Sequence, residues 1–312
     1  MYPLKLKPVY SKTIWGDGRL AAKRGIDDKI GTSWEISAHS HADNEILNGK
    51  YTGFTLNELI DRYPKEILGN KKRSQMLRLA YLDAAESLSI QVHPDDDYAH
   101  KYESDEGKTE AWYILEAVPG STLIAGTTIK DPKVIKEAVN KQEVEQYTRK
   151  IEMKSGDFIC IEAGMLHALG KGILALEIGQ NSDTTYRFYD YNRRDSNGNL
   201  RELHLDKCFD VAHFDLECEK ISSPIEEINS TRIKALVRRK EFCVDLIDIK
   251  DEYELIPNGD TFYCISNVSN NTTYYYEGKE EILSHTENIF VPADCGSIRI
   301  KGTCRILVSY IK

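Results

Sequence analysis

The first residues of the chain that are well suited to chemistry lie in one short stretch, Leu88 to Pro94. Read as a β-strand, this stretch points Gln91 and His93 to one face, because successive residues of a strand alternate between two faces. Ile90 and Val92 then point the opposite way, into apolar packing. Two polar groups that can bind a metal ion therefore share one face of a predicted strand.

Two further donors of this kind follow along the chain. Glu110 lies in the segment Gly107 to Trp112, and His167 lies in the glycine-bracketed segment Gly164 to Gly170. Imidazole and carboxylate groups are ligands that suit a divalent, zinc-like ion. A single histidine is more often a hydrogen-bonded structural residue than a ligand, so only the whole set of donors predicts a metal site. The candidate metal ligands are Gln91, His93, Glu110 and His167.

The composition is that of a soluble globular protein that we expect to stay in the cytoplasm. Hydrophobic residues make up 41% of the 312 positions and charged residues 29%, and no apolar run approaches the roughly 18 residues of a membrane span. The residues after Met1 alternate charged and apolar side chains, unlike the continuous apolar segment of a secretory signal. Seven scattered cysteines without a Cys-x-x-Cys pair favour buried free thiols over disulfides or a thiolate zinc site.

The formal net charge of −9 limits the partners. Because no block rich in lysine or arginine offsets this charge, we expect no binding to nucleic acid or to an anionic membrane surface. An anionic small-molecule substrate would need a local basic pocket. The sequence leaves the oligomeric state open between monomer and dimer.

Turn and helix signals predict a mainly β protein with helical insertions. The segment Thr55 to Glu58 has the spacing of a capping box and predicts a short helix that ends at Pro64. The acidic residues Asp95 to Asp97 suit the first turn of a second helix. Asp131 opens a third helix, whose lysines and glutamates up to Lys150 would cover its outer side.

In the middle of the chain the pattern changes to short strands separated by turn residues, which predicts a closed or sandwiched antiparallel sheet. Asp206 is positioned to cap a short helix that runs through Val211. We expect one domain over residues 1–220 and a second, all-β domain over residues 221–312. An acidic stretch from Glu217 to Asn229 would form the connection between them.

Five motifs of the chain are specific as an ordered set. They are Ile14-Trp15-Gly16, Gly31 to Glu35, Gln91 to Pro94, Gly107 to Glu110 and Asn181-Ser182-Asp183. In this order they resemble the type I mannose-6-phosphate isomerases, in their short bacterial form, over residues 8 to about 193.

The resemblance implies a catalytic cupin (jelly-roll) barrel with helical insertions and a second, smaller cupin-like domain. It also implies one Zn²⁺ per chain, held at the four candidate ligands, and a role in carbohydrate metabolism. The implied reaction interconverts D-mannose 6-phosphate and D-fructose 6-phosphate by moving a proton between C2 and C1 through an enediol. Arg187 falls at the position of the family's catalytic arginine.

This reaction needs a base and a fixed positive charge near the sugar. Glu177 and Lys108 are the candidate bases, and Lys108 shares one face of an extended chain with the candidate ligand two residues later. Lys108 could instead bind the phosphate of the substrate. Arg187 suits substrate binding and the stabilisation of enediolate charge, although an ion pair with Asp183 or Asp190 is the ordinary alternative.

Two other functions remain open on the sequence. A non-catalytic cupin would bind a sugar phosphate without turnover, and an iron-dependent cupin oxygenase would use two histidines and a carboxylate with open sites. The presence of an arginine and a lysine beside all four candidate ligands favours catalysis.

Overall fold

Strands make up most of the regular structure in the computed structural model, which describes residues 1–195, 197–228 and 231–312. The chain divides into two compact units. The first unit contains Met1–Val9, Trp34–Ala80 and Ile221–Lys312, and the second contains Tyr10–Ser33 and Tyr81–Lys220. The predicted class, mainly β with helical insertions, is confirmed, and the expected domain boundary at residue 220 stays a prediction.

The elements are numbered along the chain. Strands β1 to β12 are, in order, Leu4–Lys5, Val9–Ser11, Thr32–Ile36, Ala38–His39, Ala42–Asp43, Leu77–Asp83, Ile90–Val92, Glu110–Ala117, Thr122–Thr127, Thr148–Glu152, Phe158–Ile161 and His167–Ala168. Strands β13 to β24 are Ile173–Gln180, Tyr186–Tyr189, Ile225–Ile228, Thr231–Arg238, Cys243–Ile249, Glu252–Leu255, Tyr263–Asn267, Thr272–Tyr276, Lys279–Leu283, Asn288–Val291, Ile298–Lys301 and Cys304–Tyr310. Helices α1 to α6 are Arg19–Lys23, Leu56–Arg62, Pro64–Leu68, Asp96–Tyr102, Pro132–Asn140 and Leu205–Val211, and short 3₁₀ turns cover Gly49–Tyr51, Arg73–Gln75 and Val144–Tyr147.

Two sheets contribute to one hydrophobic core in the second unit. The first has the strand order β10-β9-β12-β7-β14. The other has the order β11-β8-β13-β6-β3-β2, and the chain passes from one unit to the other within β2, β3 and β6. Leu123 of the five-stranded sheet packs in the same core as Trp112 and Ile159 of the six-stranded sheet. The inner face of each sheet is thereby removed from water, which is the main stabilising term for such a layer.

Helices cover the opposite face of the five-stranded sheet. Ile90 and Val92 of β7 belong to a second core, which also contains Ile135 of α5 and Val211 of α6. The alternation predicted for this strand is therefore observed, because its two apolar side chains pack with the helices. Gln91, between them, points to the other face.

The first unit contains the two-stranded pair β4-β5 and two larger sheets. A seven-stranded sheet has the order β1-β22-β19-β24-β17-β16-β15, and a four-stranded sheet has the order β18-β23-β20-β21. Both contribute side chains to one apolar core. Strand β23 shows why these residues form such a layer: Ile298 and Ile300 are buried, and the alternating Arg299 and Lys301 are exposed.

Two predicted helix starts are confirmed in atomic detail. At the start of α2, the Glu58 backbone N–H donates to Thr55 Oγ1, and the Thr55 backbone N–H donates to the Glu58 side chain, which is a complete capping box. At the start of α4, Asp96 and Asp97 lie in the first turn as predicted, whereas Asp95 is the N-cap, whose side chain accepts a hydrogen bond from the Tyr98 backbone N–H. Local sequence signals were sufficient for both boundaries.

Two other helix boundaries were predicted wrongly. Helix α5 ends at Asn140 and does not continue toward Lys150. Gln142 has a φ of 60°, a left-handed conformation that a right-handed helix cannot continue, and the chain then enters β10. Helix α6 begins after His204, so Asp206 lies in its first turn and is not its cap.

The remaining predictions concern the segment between the two predicted domains, the cysteines and membrane-spanning helices. The expected connection from Glu217 contains strand β15, and its last residue, Asn229, lies outside the described residues. All seven cysteines are free thiols as predicted, and five of them are buried, whereas Cys160 and Cys218 are only partly buried. Over the ranges that the structure describes, every helix is too short or too polar to cross a membrane.

Candidate metal centre

Three of the predicted site residues lie side by side on the five-stranded sheet. Gln91 of β7 is the direct partner of His167 of β12 on one side and of Arg187 of β14 on the other. Directly opposed residues of antiparallel strands project to the same face. His93 follows two positions after Gln91, just beyond the end of β7, so these four side chains share the inner face.

The six-stranded sheet supplies the carboxylates. Glu110 and Trp112 alternate onto one face of β8, and Glu177 of β13 is the direct partner of Trp112. Gly179 is the partner of Glu110. A Cβ atom added at Gly179 would lie 3.0 Å from the Cβ of Glu110, so the missing side chain leaves room for the glutamate.

The structure brings three of the four candidate ligands into direct proximity. His93, Glu110 and His167 each offer a donor atom within 4.8 Å of the other two. Nε2 of His93 lies 3.6 Å from Glu110 Oε2, and Nε2 of His167 lies 3.4 Å from Glu110 Oε1. All three side chains are at most 1% exposed.

Backbone carbonyls set the orientation of both imidazole rings. His93 Nδ1 lies 2.8 Å from the Thr184 carbonyl oxygen, and His167 Nδ1 lies 2.8 Å from the Met165 carbonyl oxygen. A carbonyl oxygen can only accept, so each Nδ1 carries the hydrogen and each Nε2 of the neutral ring presents a lone pair. Both lone pairs therefore face the two oxygens of Glu110.

This donor set fits a divalent cation. Neither Glu110 oxygen accepts a hydrogen bond, although both are buried, and a buried carboxylate needs a compensating charge. Two unprotonated imidazole nitrogens and a carboxylate are ligands that zinc accepts, and the Nδ1–H hydrogen bond of each imidazole fixes the direction of its Nε2.

Gln91 lies beside this group. Its Nε2 is 3.3 Å from His167 Nε2. The amide nitrogen and oxygen exchange places by a half-turn about the last side-chain bond, so either atom can face the histidine and glutamate donors. Its position is thus compatible with a fourth ligand.

Lys108 and Glu177 are in contact with the same group. The Lys108 ammonium forms ion pairs with Glu110 and, at 3.2 Å, with Glu177 Oε1. It also lies 3.3 Å from His93 Nε2, and the residue is only 3% exposed. The Trp112 indole N–H donates to the second Glu177 oxygen over 3.4 Å. Lys108 is therefore buried between two carboxylates and does not lie on a surface basic patch.

Arg187 does not form the ion pair with Asp183 or Asp190 that is the ordinary alternative to a catalytic role. Its Nη1 donates to the Glu202 carbonyl oxygen over 2.6 Å, and its buried Nε has no hydrogen-bond partner. Asp190 instead pairs with Arg193 and Arg201, and among the described residues Arg187 forms no carboxylate ion pair. Burial, followed by the neighbouring Arg201, lowers the pKa of Arg187.

Burial and neighbouring charges give the protonation states that metal binding requires. Burial, reinforced by the neighbouring His93, lowers the pKa of His167 to about 3. Burial and then Lys108 lower the pKa of His93. Burial alone would raise the pKa of Glu110, but Lys108 and His93 hold it well below its usual range. Neutral histidines beside an ionised glutamate are the forms that bind a metal.

Sequence reasoning missed the groups that hold the ligands in place. These are the carbonyl groups of Met165 and Thr184, the Trp112 indole and Gly179. Backbone carbonyls carry no residue-type signal, so only the Asn181-Ser182-Asp183 motif pointed toward the segment that contains Thr184.

The buried histidines make the stability of the metal-free protein depend on pH. The pKa of His167 is about 3 in the folded protein, whereas that of an unfolded histidine is about 6.5. Between these values the unfolded chain binds a proton that the folded chain does not, so the free energy of unfolding falls as pH drops below the higher value. At pH 5 the loss is about 2 kcal/mol. Urea unfolding of wild type and His167→Gln at pH 7.5 and pH 5 should show a smaller decline in the variant.

The exposed His100 supplies the control, because its hydrogen bond with Glu106 raises its pKa and so has the opposite sign. His100→Gln should not reduce the decline between the two pH values. An equal decline in wild type and His167→Gln would contradict the assignment of a buried neutral imidazole.

Similar proteins point to one family. Residues 4–145 match the model of the type I phosphomannose isomerase catalytic domain. A putative mannose-6-phosphate isomerase of Bacillus subtilis (strain 168) is 37% identical over 314 residues, which cover 99% of each chain. A mannose-6-phosphate isomerase of Streptococcus mutans is 40% identical over 213 residues, which cover 67% of each chain.

The solved structures agree with the sequence relatives. The crystal structure of the mannose 6-phosphate isomerase from Bacillus subtilis superposes with a TM-score of 0.93 at 37% identity, covering 99% of both chains. That of a putative mannosephosphate isomerase from Archaeoglobus fulgidus has a TM-score of 0.80 at 20% identity, covering 100% of this chain and 98% of the other, and so shares the fold. The chain therefore belongs to the type I phosphomannose isomerase family and is an isomerase.

Proposed function

We propose that this enzyme is a metal-dependent aldose-ketose isomerase that interconverts D-mannose 6-phosphate and D-fructose 6-phosphate. The observation that carries the proposal is the convergence of His93, His167 and Glu110, with Lys108 and Glu177 in contact, in a member of this family. The reaction moves a proton between C2 and C1 of the open-chain sugar through an enediol, without net oxidation.

The metal would be held by Gln91, His93, Glu110 and His167, with one ion per chain. Zinc is the proposed ion, because two imidazole nitrogens and a carboxylate match its ligand preference. When bound, the ion supplies a Lewis acid for the oxygens on C1 and C2 of the sugar. The lowered pKa values keep both histidines neutral and Glu110 ionised, which are the protonation states that metal binding requires.

Glu177 is the proposed base that removes the proton from one sugar carbon and returns it to the other. The Trp112 N–H fixes one of its oxygens, and the other lies 3.2 Å from the Lys108 ammonium. A carboxylate held in this way has a defined direction toward a substrate on the inner face. Lys108 can donate a hydrogen bond to a sugar oxygen, or exchange a proton with Glu177 across the same distance.

Arg187 is the proposed source of fixed positive charge. It lies next to Gln91 across the strand pair, and its buried Nε is free to donate. A guanidinium in a partly buried site stabilises a developing enediolate oxygen more strongly than it would in water. The same group can bind the substrate before reaction.

The fold and location implied by the family resemblance are part of the proposal. We propose a cupin (jelly-roll) catalytic barrel within residues 1–220 and a smaller cupin-like domain within residues 221–312. Two sheets that enclose a core in the second unit, and two more in the first, support this view. A cytoplasmic location is consistent with the seven free cysteines.

The reaction and its metal dependence can be tested together. Purified protein should convert mannose 6-phosphate to fructose 6-phosphate, lose this activity when a chelator removes the metal, and regain it when Zn²⁺ is added back. His93→Ala and His167→Ala should each abolish most of the activity and lower the bound metal, because each removes one of two imidazole ligands. A coupled assay for fructose 6-phosphate and metal analysis by mass spectrometry measure both quantities.

His285→Ala is the matched control, since this histidine lies after β21 in the first unit, whereas the centre lies in the second. It should retain wild-type activity and metal content. The proposed function would be contradicted if the metal-loaded protein had no isomerase activity. It would also be contradicted if His93→Ala and His167→Ala both kept full activity.

Substitutions of the proposed catalytic residues should lower turnover without lowering metal content, unlike substitutions of the metal ligands. Arg187→Ala and Glu177→Gln should each lower kcat by about 100-fold or more, because they remove a charge or a base that acts on the reacting sugar. Their metal content should stay at one ion per chain. The control is Arg194→Ala, which replaces an exposed arginine that donates to the Gly198 carbonyl oxygen, and it should also keep one ion per chain. Arg194→Ala should also keep wild-type kcat. Loss of metal from Arg187→Ala or Glu177→Gln would instead assign those residues a structural role.

A further inference from the structure

The two histidines of the centre are oriented by carbonyl groups that lie at very different separations along the chain. The carbonyl that accepts from His167 belongs to Met165, only two residues earlier in the chain. The carbonyl that accepts from His93 belongs to Thr184, which is 91 residues away along the chain. The orientation of His93 therefore depends on whatever holds the segment around Thr184.

One carboxylate holds that segment. Oδ2 of Asp105 accepts hydrogen bonds from Ser182 Oγ at 3.0 Å, from the Asp183 backbone N–H at 3.0 Å and from Thr184 Oγ1 at 2.8 Å. The Thr184 backbone N–H also donates to Ser182 Oγ over 3.2 Å. Hydrogen bonds to an ionised acceptor are stronger than neutral ones, so Asp105 fixes three consecutive residues.

The position of Asp105 is itself defined by the connection between β7 and β8. In that connection Asp96 Oδ1 accepts hydrogen bonds from the Gly107 backbone N–H and from Gln180 Nε2. Gln180 Oε1 in turn accepts from the Thr109 backbone N–H. A Cβ atom at Gly107 would lie 2.4 Å from the Asp96 backbone nitrogen, so the connection packs too closely for a side chain there. Asp105 thus lies in a loop that joins two candidate ligands and that is held on both sides of Asp105 by these contacts.

We propose that Asp105 is a positioning residue for the metal centre, an inference that rests on the proposed function only in assuming a metal at His93. Through Ser182, Asp183 and Thr184, it aims the Thr184 carbonyl at His93 Nδ1. This contact keeps the hydrogen on Nδ1 and directs the Nε2 lone pair toward Glu110. Asp105 touches neither ligand, so its effect on the metal is indirect.

Zinc affinity of the full-length protein tests the proposal. Competition with a chromophoric chelator should show that Asp105→Ala binds Zn²⁺ about 10- to 100-fold more weakly than wild type. Asp105→Asn should recover part of this loss, because its amide oxygen can accept the same hydrogen bonds without the charge. Thr184→Val, which removes one of the three donors and keeps the carbonyl, should have a smaller effect.

Asp210→Ala is the matched control, because this carboxylate bonds the Tyr98 hydroxyl and does not contact residues 182–184. It should bind Zn²⁺ as wild type does. Equal affinity in wild type and Asp105→Ala, or an equal loss in Asp210→Ala, would overturn the proposal. If Asp105→Ala does not fold, Asp105→Asn and Thr184→Val decide, and wild-type affinity in both would overturn it.

A second readout does not depend on metal or turnover. In the metal-free protein, ¹⁵N chemical shifts of the His93 ring should show the Nδ1–H tautomer in wild type and a mixture of tautomers in Asp105→Ala or Thr184→Val. An unchanged tautomer in both variants would overturn the proposal even if the isomerase assay succeeds. A changed tautomer would support it even if that assay fails, so the two failures are distinguishable.

Discussion

Two hydrogen bonds from imidazole nitrogens to backbone carbonyls determine what the buried centre can do. Because Nδ1 of His93 and of His167 each donates to a carbonyl, each Nε2 presents a lone pair to Glu110 in a core from which water is excluded. A carboxylate that accepts no hydrogen bond would be costly at this depth without a compensating charge. The Lys108 ammonium supplies one such charge in the structure, and the donor set is suited to a metal as another.

The fold serves this arrangement by placing donors on two separate sheets. The five-stranded sheet carries Gln91 and His167 as direct neighbours, and the six-stranded sheet carries Glu110 and Glu177. Helices cover the outer face of the five-stranded sheet, so β7 and β12, which carry Gln91 and His167, are buried on that side as well. Burial of this kind is what moves the histidine pKa values down, and the packed core also limits how far the ligands can move.

Sequence reasoning reached the parts of this site that follow from local pattern. Strand alternation placed Gln91 and His93 on one face, and the capping box at Thr55 gave the start of α2. It failed where long-range contacts decide. The left-handed conformation of Gln142, which ends α5 early, has no clear local signal, because glutamine rarely adopts it. The carbonyl that orients His93 was also invisible, since every residue has a carbonyl and only the folded chain brings that one within 2.8 Å.

His93, His167 and Glu110 are proposed to bind one divalent ion. Anomalous X-ray diffraction from crystals of the zinc-loaded protein, recorded on both sides of the zinc absorption edge, tests it most directly. We expect a single strong peak at about 2.0–2.2 Å from Nε2 of both histidines and from a Glu110 oxygen. A peak elsewhere in the chain with none between these three side chains, or coordination through Nδ1, would contradict it.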